Sequence, residues 1–395
     1  MKKTFFFAAL AAVALASCSS DETVAENQAA QDANAISFRP FMNSASRAAI
    51  DPGVMLNFAT GNKFNVYANY YNGSSNVKYF QEDFEKQDGS TFTSVNKYYW
   101  PADLGTGDPA KTMTFTAIYG ATQKADNPGV IDDYTPATAA ASQVDVLVAK
   151  KAVTANPGAT GVELEFRHAL SQVVVKVKNT EPNLKISISE MRIGKVKTVG
   201  DFSYSGDGTG KVSQDDWTPD TEGSYTQTSL GVTFTGTNGG TSDNEVKTLG
   251  SPWLIVPQVK VATQEYSSAN SSAPSITAST EPTIVGNYLA LKMVIKNNSA
   301  NEEVIASERW CCWPISQDFD PGYKYIFLID AGTGGYQPVD INNEKTDLDT
   351  VLGSPIVFAA TCSIVPWDTY DGDGDSTADA DGDNDSTNDP INIGM

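Results

Sequence analysis

Residues 184–191 read Leu-Lys-Ile-Ser-Ile-Ser-Glu-Met, and this stretch alternates apolar and polar side chains. Successive side chains of a β-strand point to opposite faces, so Leu184, Ile186 and Ile188 would share one face and the polar residues between them the other. An α-helix would instead need apolar residues at every third or fourth position. The stretch therefore predicts a strand with one buried and one exposed face.

Strand-like segments recur on both sides of this stretch, separated by Gly, Pro and Asn, and helical periodicity is scarce. They lie at residues 63–68, 112–119, 144–149, 162–166, 171–178, 253–256, 288–295, 323–329 and 356–365. Short strands at this spacing are typical of β-sandwiches. We predict an all-β fold of two sandwiches in tandem, with a boundary near residue 166.

Composition narrows the class of partner. The chain has 395 residues, enough for two domains, and a formal net charge of −21. Nucleic acids and anionic membrane surfaces would repel such a chain, so we expect neither as a partner. No apolar run after the N-terminus reaches the length of a transmembrane helix.

The N-terminus has the pattern of an exported, lipid-modified protein. Lys2 and Lys3 precede about a dozen apolar residues, too few to span a bilayer as a helix. The segment 15–18, Leu-Ala-Ser-Cys, then resembles the lipobox of bacterial lipoproteins, in which a diacylglycerol is attached to the cysteine. We predict a signal peptide at residues 1–17 and lipid attachment at Cys18, which would tether the chain to the outer membrane.

The C-terminal tail differs from the rest of the chain in composition. Eight aspartates lie between residues 371 and 389, and like charges at this density favour an extended linker. Alternate carboxylates also resemble the first half of a calcium loop, the candidate ligands being Asp379, Asp381, Asp383 and Asp385. The twelfth position of that loop is Pro390, however, where a bidentate glutamate is needed. Weak calcium binding and a solvated spacer stay open, and no other cofactor is expected.

The remaining cysteines allow two readings. Cys311 or Cys312 could form a disulfide with Cys362 in an oxidising compartment. All three could equally be buried free thiols in β-strands.

Residues that could support catalysis are few. His168 is the single histidine, and no Gly-x-Ser-x-Gly motif accompanies it. The thiols and His168 lack the spacing of zinc ligands. The aromatic segment 98–101, Tyr-Tyr-Trp-Pro, is typical of a core or a sheet edge, with a carbohydrate platform as the alternative. We therefore expect that the protein is not an enzyme.

Several segments in this order resemble the fimbrillin-like family of Bacteroidetes surface proteins, the subunits of type V pili. They are the lipobox, Ile36-Ser37-Phe38, Arg47, the segments 98–101 and 113–119, the His-Ala-Leu of 168–170, and the closing 356–358 and 365–367. The Asp-rich tail is not part of that pattern. The resemblance implies two transthyretin-like sandwiches in a surface-delivered lipoprotein.

The resemblance also implies a route of assembly. An arginine-directed protease would cut between Arg47 and Ala48, with Arg39 as a competing site, and release the first strand with Ile36 and Phe38. A strand from the next subunit would refill the groove. The candidate donor residues are Ile391, Ile393 and Met395.

On this basis we expect five segments along the chain. They are a signal peptide at 1–17, a tether and propeptide strand at 18–47, sandwiches at 48–165 and 166–370, and an Asp-rich linker with a donor strand at 371–395. The predicted function is a structural fimbrial subunit serving adhesion at the outer membrane, with other fimbrial subunits as partners. The alternatives are a permanently anchored lipoprotein that binds glycan or host protein, and a pilus anchor or tip subunit.

Overall fold

The computed structural model describes most of the chain between residues 34 and 394. The described residues are 34–42, 54–55, 61–86, 92–206, 211–235, 246–260, 286–315, 317–333, 336–340, 345–350, 360–366 and 391–394. For the strands at 54–55, 336–340, 345–350 and 391–394, only the backbone is described.

Almost every regular element in these ranges is a β-strand, which confirms the predicted all-β class. The first twelve strands are β1 (Phe38–Met42), β2 (Val54–Met55), β3 (Lys63–Tyr71), β4 (Asn76–Lys86), β5 (Phe92–Thr93), β6 (Thr112–Tyr119), β7 (Val130–Tyr134), β8 (Leu147–Val153), β9 (Val162–Glu165), β10 (Arg167–His168), β11 (Ser171–Lys178) and β12 (Leu184–Lys197). The others are β13 (Gly200–Ser203), β14 (Trp217–Pro219), β15 (Glu222–Gln227), β16 (Val232–Thr235), β17 (Lys247–Ile255), β18 (Tyr288–Asn297), β19 (Val304–Pro314), β20 (Tyr323–Asp330), β21 (Tyr336–Asp340), β22 (Lys345–Thr350), β23 (Ala360–Pro366) and β24 (Ile391–Gly394).

Helical structure in the described residues is limited to short 3₁₀ turns. These turns are Ala140–Ser142, Gly158–Thr160, Gln214–Asp216 and Ala331–Thr333. None of the described helices has the length and apolar content needed to cross a membrane.

The chain forms two compact units that interleave along the sequence. Unit 1 comprises Met1–Pro40, Asn57–Phe115 and Lys151–Leu164, and unit 2 comprises Phe41–Leu56, Thr116–Lys150 and Glu165–Met395. This division follows spatial contacts rather than chain order. The tandem domains at 48–165 and 166–370 stay a prediction.

Unit 1 is built on the β3–β4 hairpin. The two strands pair antiparallel from Lys63↔Glu85 to Tyr71↔Asn76. The Asn72 side chain accepts hydrogen bonds from the backbone N–H groups of Ser74 and Ser75, which closes the turn. The sheet order continues from β3 through β4 and β5 to β1, and β9 also pairs with β1.

The core of unit 1 is rich in phenylalanine. Its strands alternate, so that one face presents aromatic and aliphatic side chains that are almost fully shielded from solvent. The buried apolar residues include Ile36, Phe38, Phe64, Val66, Phe80, Phe84, Phe92, Trp100, Met113, Phe115, Val162 and Leu164.

Unit 2 contains a β-sandwich. One sheet has the order β17-β11-β20-β23-β24, and the other has the order β15-β12-β18-β19-β21-β22, with β16 also paired to β12. Side chains from both sheets form one core, including Val175, Trp253, Phe327, Ile188, Leu291 and Trp313. A separate cluster of unit 2 surrounds Phe202 and Trp217 beside the three-stranded sheet β14-β13-β7.

The stretch 184–191 lies in β12. Its alternation of buried and exposed side chains holds, except that the buried positions shift by one residue after Ile188. Ile186 and Ile188 are buried in the sandwich core, and so are Met191 and Ile193. A register shift between Ile188 and Glu190 makes this change of phase possible. The extra residue of a β-bulge reverses the inward and outward positions that follow it.

Candidate functional site

The N-terminal segment 34–42 is an integral part of the fold, and its residues up to Pro40 belong to unit 1. The Ile36 N–H donates to the Tyr98 carbonyl at 2.7 Å, and the Trp100 N–H donates to the Asn34 carbonyl at 3.3 Å. Phe38 then pairs antiparallel with Phe92 of β5. In the sheet order, β1 lies between β5 and β2. The segment predicted to be displaced is therefore an internal strand rather than a loose extension.

Phe38 occupies a pocket made of other aromatic rings. It is fully buried, and its ring centroid lies 4.6 Å from that of Phe84 and 5.0 Å from that of Phe115, both edge-on. Phe64 contributes a third edge-on contact at 6.2 Å. Each such pair adds about 0.5–1.5 kcal/mol beyond the burial of area. The Phe38 ring thus anchors β1 in the core of unit 1.

A close backbone contact with β9 holds the other edge of the N-terminal segment. The Val162 N–H of β9 donates to the Ser37 carbonyl at 2.8 Å. Gly161 precedes it with φ +73°, and a Cβ at that position would lie 2.9 Å from the Ser37 oxygen. Only glycine combines this backbone angle with so close an approach.

Arg39 lies within β1, where its guanidinium pairs with Glu163 at 3.6 Å. It is followed by Pro40 and held in a strand, so the competing cleavage site is part of the folded sheet.

The C-terminal segment also forms a strand. β24 pairs antiparallel with β23 in the register Thr361↔Gly394, Cys362↔Ile393, Ser363↔Asn392 and Ile364↔Ile391. It is the last strand in the order of its sheet. The candidate donor positions Ile391 and Ile393 thus pair with the chain's own second unit.

Several predicted site residues lie outside the described part of the chain. They are Cys18, Arg47, Ala48, Met395 and the calcium candidates Asp379, Asp381, Asp383 and Asp385. Among the residues that are described, no group of three or more His, Cys, Asp or Glu side chains is placed to hold a metal ion.

Cys311, Cys312 and Cys362 are buried free thiols. The sequence left open a disulfide or buried free thiols, and the structure has buried free thiols. Cys311 and Cys362 belong to the sandwich core of unit 2, and burial raises the pKa of both thiols. The 311/312–362 disulfide is not formed here.

His168 has a local structural partner. Its Nδ1 contacts the Asp145 carboxylate, and the two side chains are 11% and 21% exposed. β10 pairs with β8 so that His168 lies opposite Leu147, and this pairing brings His168 close to Asp145. The contact joins β10 to the segment that leads into β8.

The aromatic segment 98–100 divides between core and surface. Trp100 is buried and meets Phe115 edge-on, while Tyr98 stacks on Phe80 at 4.3 Å. Tyr99 forms a bridge with Ala35 and remains 36% exposed. The segment is therefore chiefly a partner of the N-terminal segment.

Sequence reasoning found Ile36 and Phe38 but missed what holds them. Tyr98, Gly161 and Glu163 lie far from the segment in the chain and carry no local motif that links them to it. The one available signal was Gly161, since it precedes a predicted strand directly and such a glycine often marks a close backbone approach.

The fold and this site define an all-β protein in which the N-terminal strand fills an aromatic pocket. The chain belongs to the fimbrillin-like family, whose model matches residues 46–347. Membership supports a role as a fimbrial subunit or adhesin at the cell surface, a class that is structural and not known for enzymes. The resemblance inferred from the sequence is thereby confirmed. A comparison with curated proteins gives no match.

Solved structures provide more distant similarities. A fimbrial protein from Bacteroides vulgatus is 11% identical with a TM-score of 0.48, the match covering 84% of this chain and 99% of that one. The fimbrial anchor protein Mfa2 from Porphyromonas gingivalis is 10% identical with a TM-score of 0.31, covering 80% of this chain and 98% of that one.

Proposed function

We propose that this chain is a fimbrial subunit that is delivered to the outer membrane by lipid on Cys18 and assembled by strand exchange. Cleavage between Arg47 and Ala48 would release the segment that carries Ile36 and Phe38. The C-terminal strand of a neighbouring subunit would then fill the vacated groove.

The observation that carries the proposal is the position of β1 upstream of Arg47. Its removal would uncover the pocket of Phe64, Phe84 and Phe115 and leave backbone groups of β5 and β9 unpaired. Burial of a side chain such as Phe38 contributes about 1.5–3 kcal/mol, and each buried polar group left unpaired costs about 1–3 kcal/mol. A groove with these properties favours the addition of another strand.

The C-terminal segment is a suitable donor because it already takes a strand conformation in this structure. Moving β24 from β23 to a neighbour would exchange one antiparallel ladder for another, so few hydrogen bonds would be lost in total. Residues 367–390 connect β23 to β24, and such a length of chain reaches up to roughly 80 Å when extended. That reach is sufficient to contact another subunit.

Deletion of residues 390–395 tests the donor. We expect polymers to disappear while the monomer stays folded, as followed by electron microscopy of fibres and by circular dichroism. A matched control removes an equal length from the Asp-rich spacer and keeps 390–395, and it should still polymerise. Normal fibres from the 390–395 deletion would refute the proposed donor.

N-terminal sequencing of material sheared from cells tests the processing step. A chain that begins at Ala48 supports the assembled subunit. A chain that retains an acylated Cys18 supports the permanently anchored lipoprotein instead. An Arg47→Ala variant should retain lipid and fail to appear in the sheared fraction.

A further inference from the structure

The rings of Tyr70 and Tyr79 are neighbours on the surface of unit 1, and the backbone of Tyr99 lies beside Tyr79. Tyr79 is 37% and Tyr99 36% exposed, and Tyr70 is half-buried beside them. The Tyr70 and Tyr79 ring centroids are 6.2 Å apart, with their planes inclined at 58°. We call Tyr70, Tyr79 and Tyr99 the tyrosine cluster.

A β-bulge brings Tyr79 to this surface. Ala68 pairs with Phe80 and Asn69 pairs with Lys78, so Tyr79 has no opposite residue in β3. The extra residue of a bulge turns its side chain away from the regular alternation. Phe80, the next residue, therefore reaches the aromatic core while Tyr79 stays outside it.

Hydrogen bonds hold the rings of Tyr70 and Tyr79 in place before any ligand arrives. The Tyr79 hydroxyl donates to the Tyr99 carbonyl at 2.7 Å, and the Tyr70 hydroxyl donates to Asp103 Oδ1 at 2.7 Å. Hydrogen bonds from Lys111 and Tyr70 hold the pKa of Asp103 below its usual range, so this carboxylate stays ionised. Rings that are already ordered lose little conformational entropy on binding.

The chemistry of this surface suits a sugar. Partly exposed rings offer faces and edges for the C–H groups of a pyranose, and Asp103, whose side chain is 51% exposed, offers an acceptor for hydroxyl groups. The net charge of −21 opposes polyanionic ligands such as sulfated glycans. We propose that the tyrosine cluster is a binding site for neutral saccharides, with Asp103 as the hydroxyl acceptor.

This site goes beyond the proposed assembly mechanism and does not depend on it. Binding can be measured on the unpolymerised full chain, whether or not strands exchange. Failure of one proposal therefore leaves the other standing.

Saturation-transfer NMR and calorimetry with the full chain test the site. The probes are lactose, N-acetyllactosamine, chitobiose and mannobiose, with heparin oligosaccharides as the anionic comparison. We expect at least one neutral disaccharide to bind with a dissociation constant of about 1 mM. Tyr79→Ala should weaken this binding about tenfold. Tyr79→Phe keeps the ring and loses only the hydrogen bond to the Tyr99 carbonyl, so it should weaken binding less than Tyr79→Ala does.

Two further variants separate ligand contact from folding. Tyr99→Ala removes a ring but keeps the carbonyl that anchors Tyr79, so weakened binding by a folded Tyr99→Ala chain supports the site. Tyr323→Ala, at an equally exposed tyrosine of unit 2, should bind like the parent. The proposal is overturned if no neutral probe binds, if only heparin binds, or if the cluster variants leave sugar binding unchanged. It is equally overturned if Tyr79→Ala leaves sugar binding intact and abolishes self-association of the chain, because the cluster would then contact another copy of the chain.

Discussion

At the scale of single residues, the N-terminal segment can pack closely beside β9 because Gly161 has no side chain. The Ser37 carbonyl approaches the place that a Cβ would occupy, and the backbone there is at φ +73°. Phe38 has the complementary role, because its ring packs edge-on against Phe84 and Phe115 in the core of unit 1. One small and one large residue thus define how the strand is held.

Replacement of Gly161 by alanine should therefore destabilise unit 1. We expect the free energy of unfolding to fall by about 2–4 kcal/mol, since the positive φ and the clash with Ser37 both add to the cost. Gly158 is the matched control, because it has φ +77° but nothing within 4 Å of its Cβ position. Gly158→Ala should cost only about 1 kcal/mol in urea denaturation. Equal losses for the two variants would show that the Ser37 contact is unimportant.

The thiols of Cys311 and Cys362 should resist alkylation in the folded protein. Both are fully buried, and burial raises the pKa of each, so little thiolate is present at pH 8. Peptide mass mapping after iodoacetamide treatment should find both unmodified, and both alkylated when the treatment is made in denaturant. Rapid modification of the native chain would contradict their placement in the core.

At the scale of elements, β23 has β24 as the strand partner on one of its two edges. β20 pairs with β23 along one edge from Tyr323↔Pro366 to Ile329↔Ala360, and β24 covers residues 361–364 on the other. An edge strand released from its neighbour presents unpaired N–H and C=O groups, which other strands can bind.

Hydrogen exchange should reveal this dependence in the 390–395 deletion variant. We expect faster exchange for the β23 amides that face β24, because those amides become exposed to solvent. Amides of β11 provide the internal comparison, as this strand lies between β17 and β20 and keeps both neighbours. Unchanged protection of β23 would show that β24 does not pair there in solution.

At the scale of the whole molecule, unit 2 draws on segments from both halves of the chain. Ile118, Ile131, Val146 and Val148 join the cluster around Phe202 and Trp217, although they precede residue 166. The sandwich core, by contrast, is formed almost entirely by residues after it, with Ala140 as the exception.

A fragment of residues 166–395 should consequently fold incompletely. We expect β-sheet circular dichroism from the sandwich, together with binding of a hydrophobic dye to the uncovered cluster near Trp217. The fragment 116–395 keeps every member of that cluster and should bind less dye. Equal dye binding by the two fragments would contradict the assignment of residues 116–150 to unit 2.

Features that depend on neighbouring residues in the chain can be predicted from the sequence. Alternation over residues 184–191 predicted β12, because side chains of a strand point to opposite faces whatever surrounds them. Family membership also followed from local segments in a particular order, and the match over residues 46–347 confirmed it. The same resemblance named Ile36 and Phe38 as residues of the first strand, and both are buried.

The pairing of segments that are distant in the chain is seen only in the folded structure. Tyr98, Phe92 and Val162 hold the N-terminal segment through backbone groups, and backbone groups are the same in every residue, so no side-chain pattern announces the pairing. The bulges at Tyr79 and in β12 likewise follow from how whole strands share buried surface, a choice made by the complete sheet. Local sequence predicts where strands form, and the burial of apolar faces that strands share determines which strands pair.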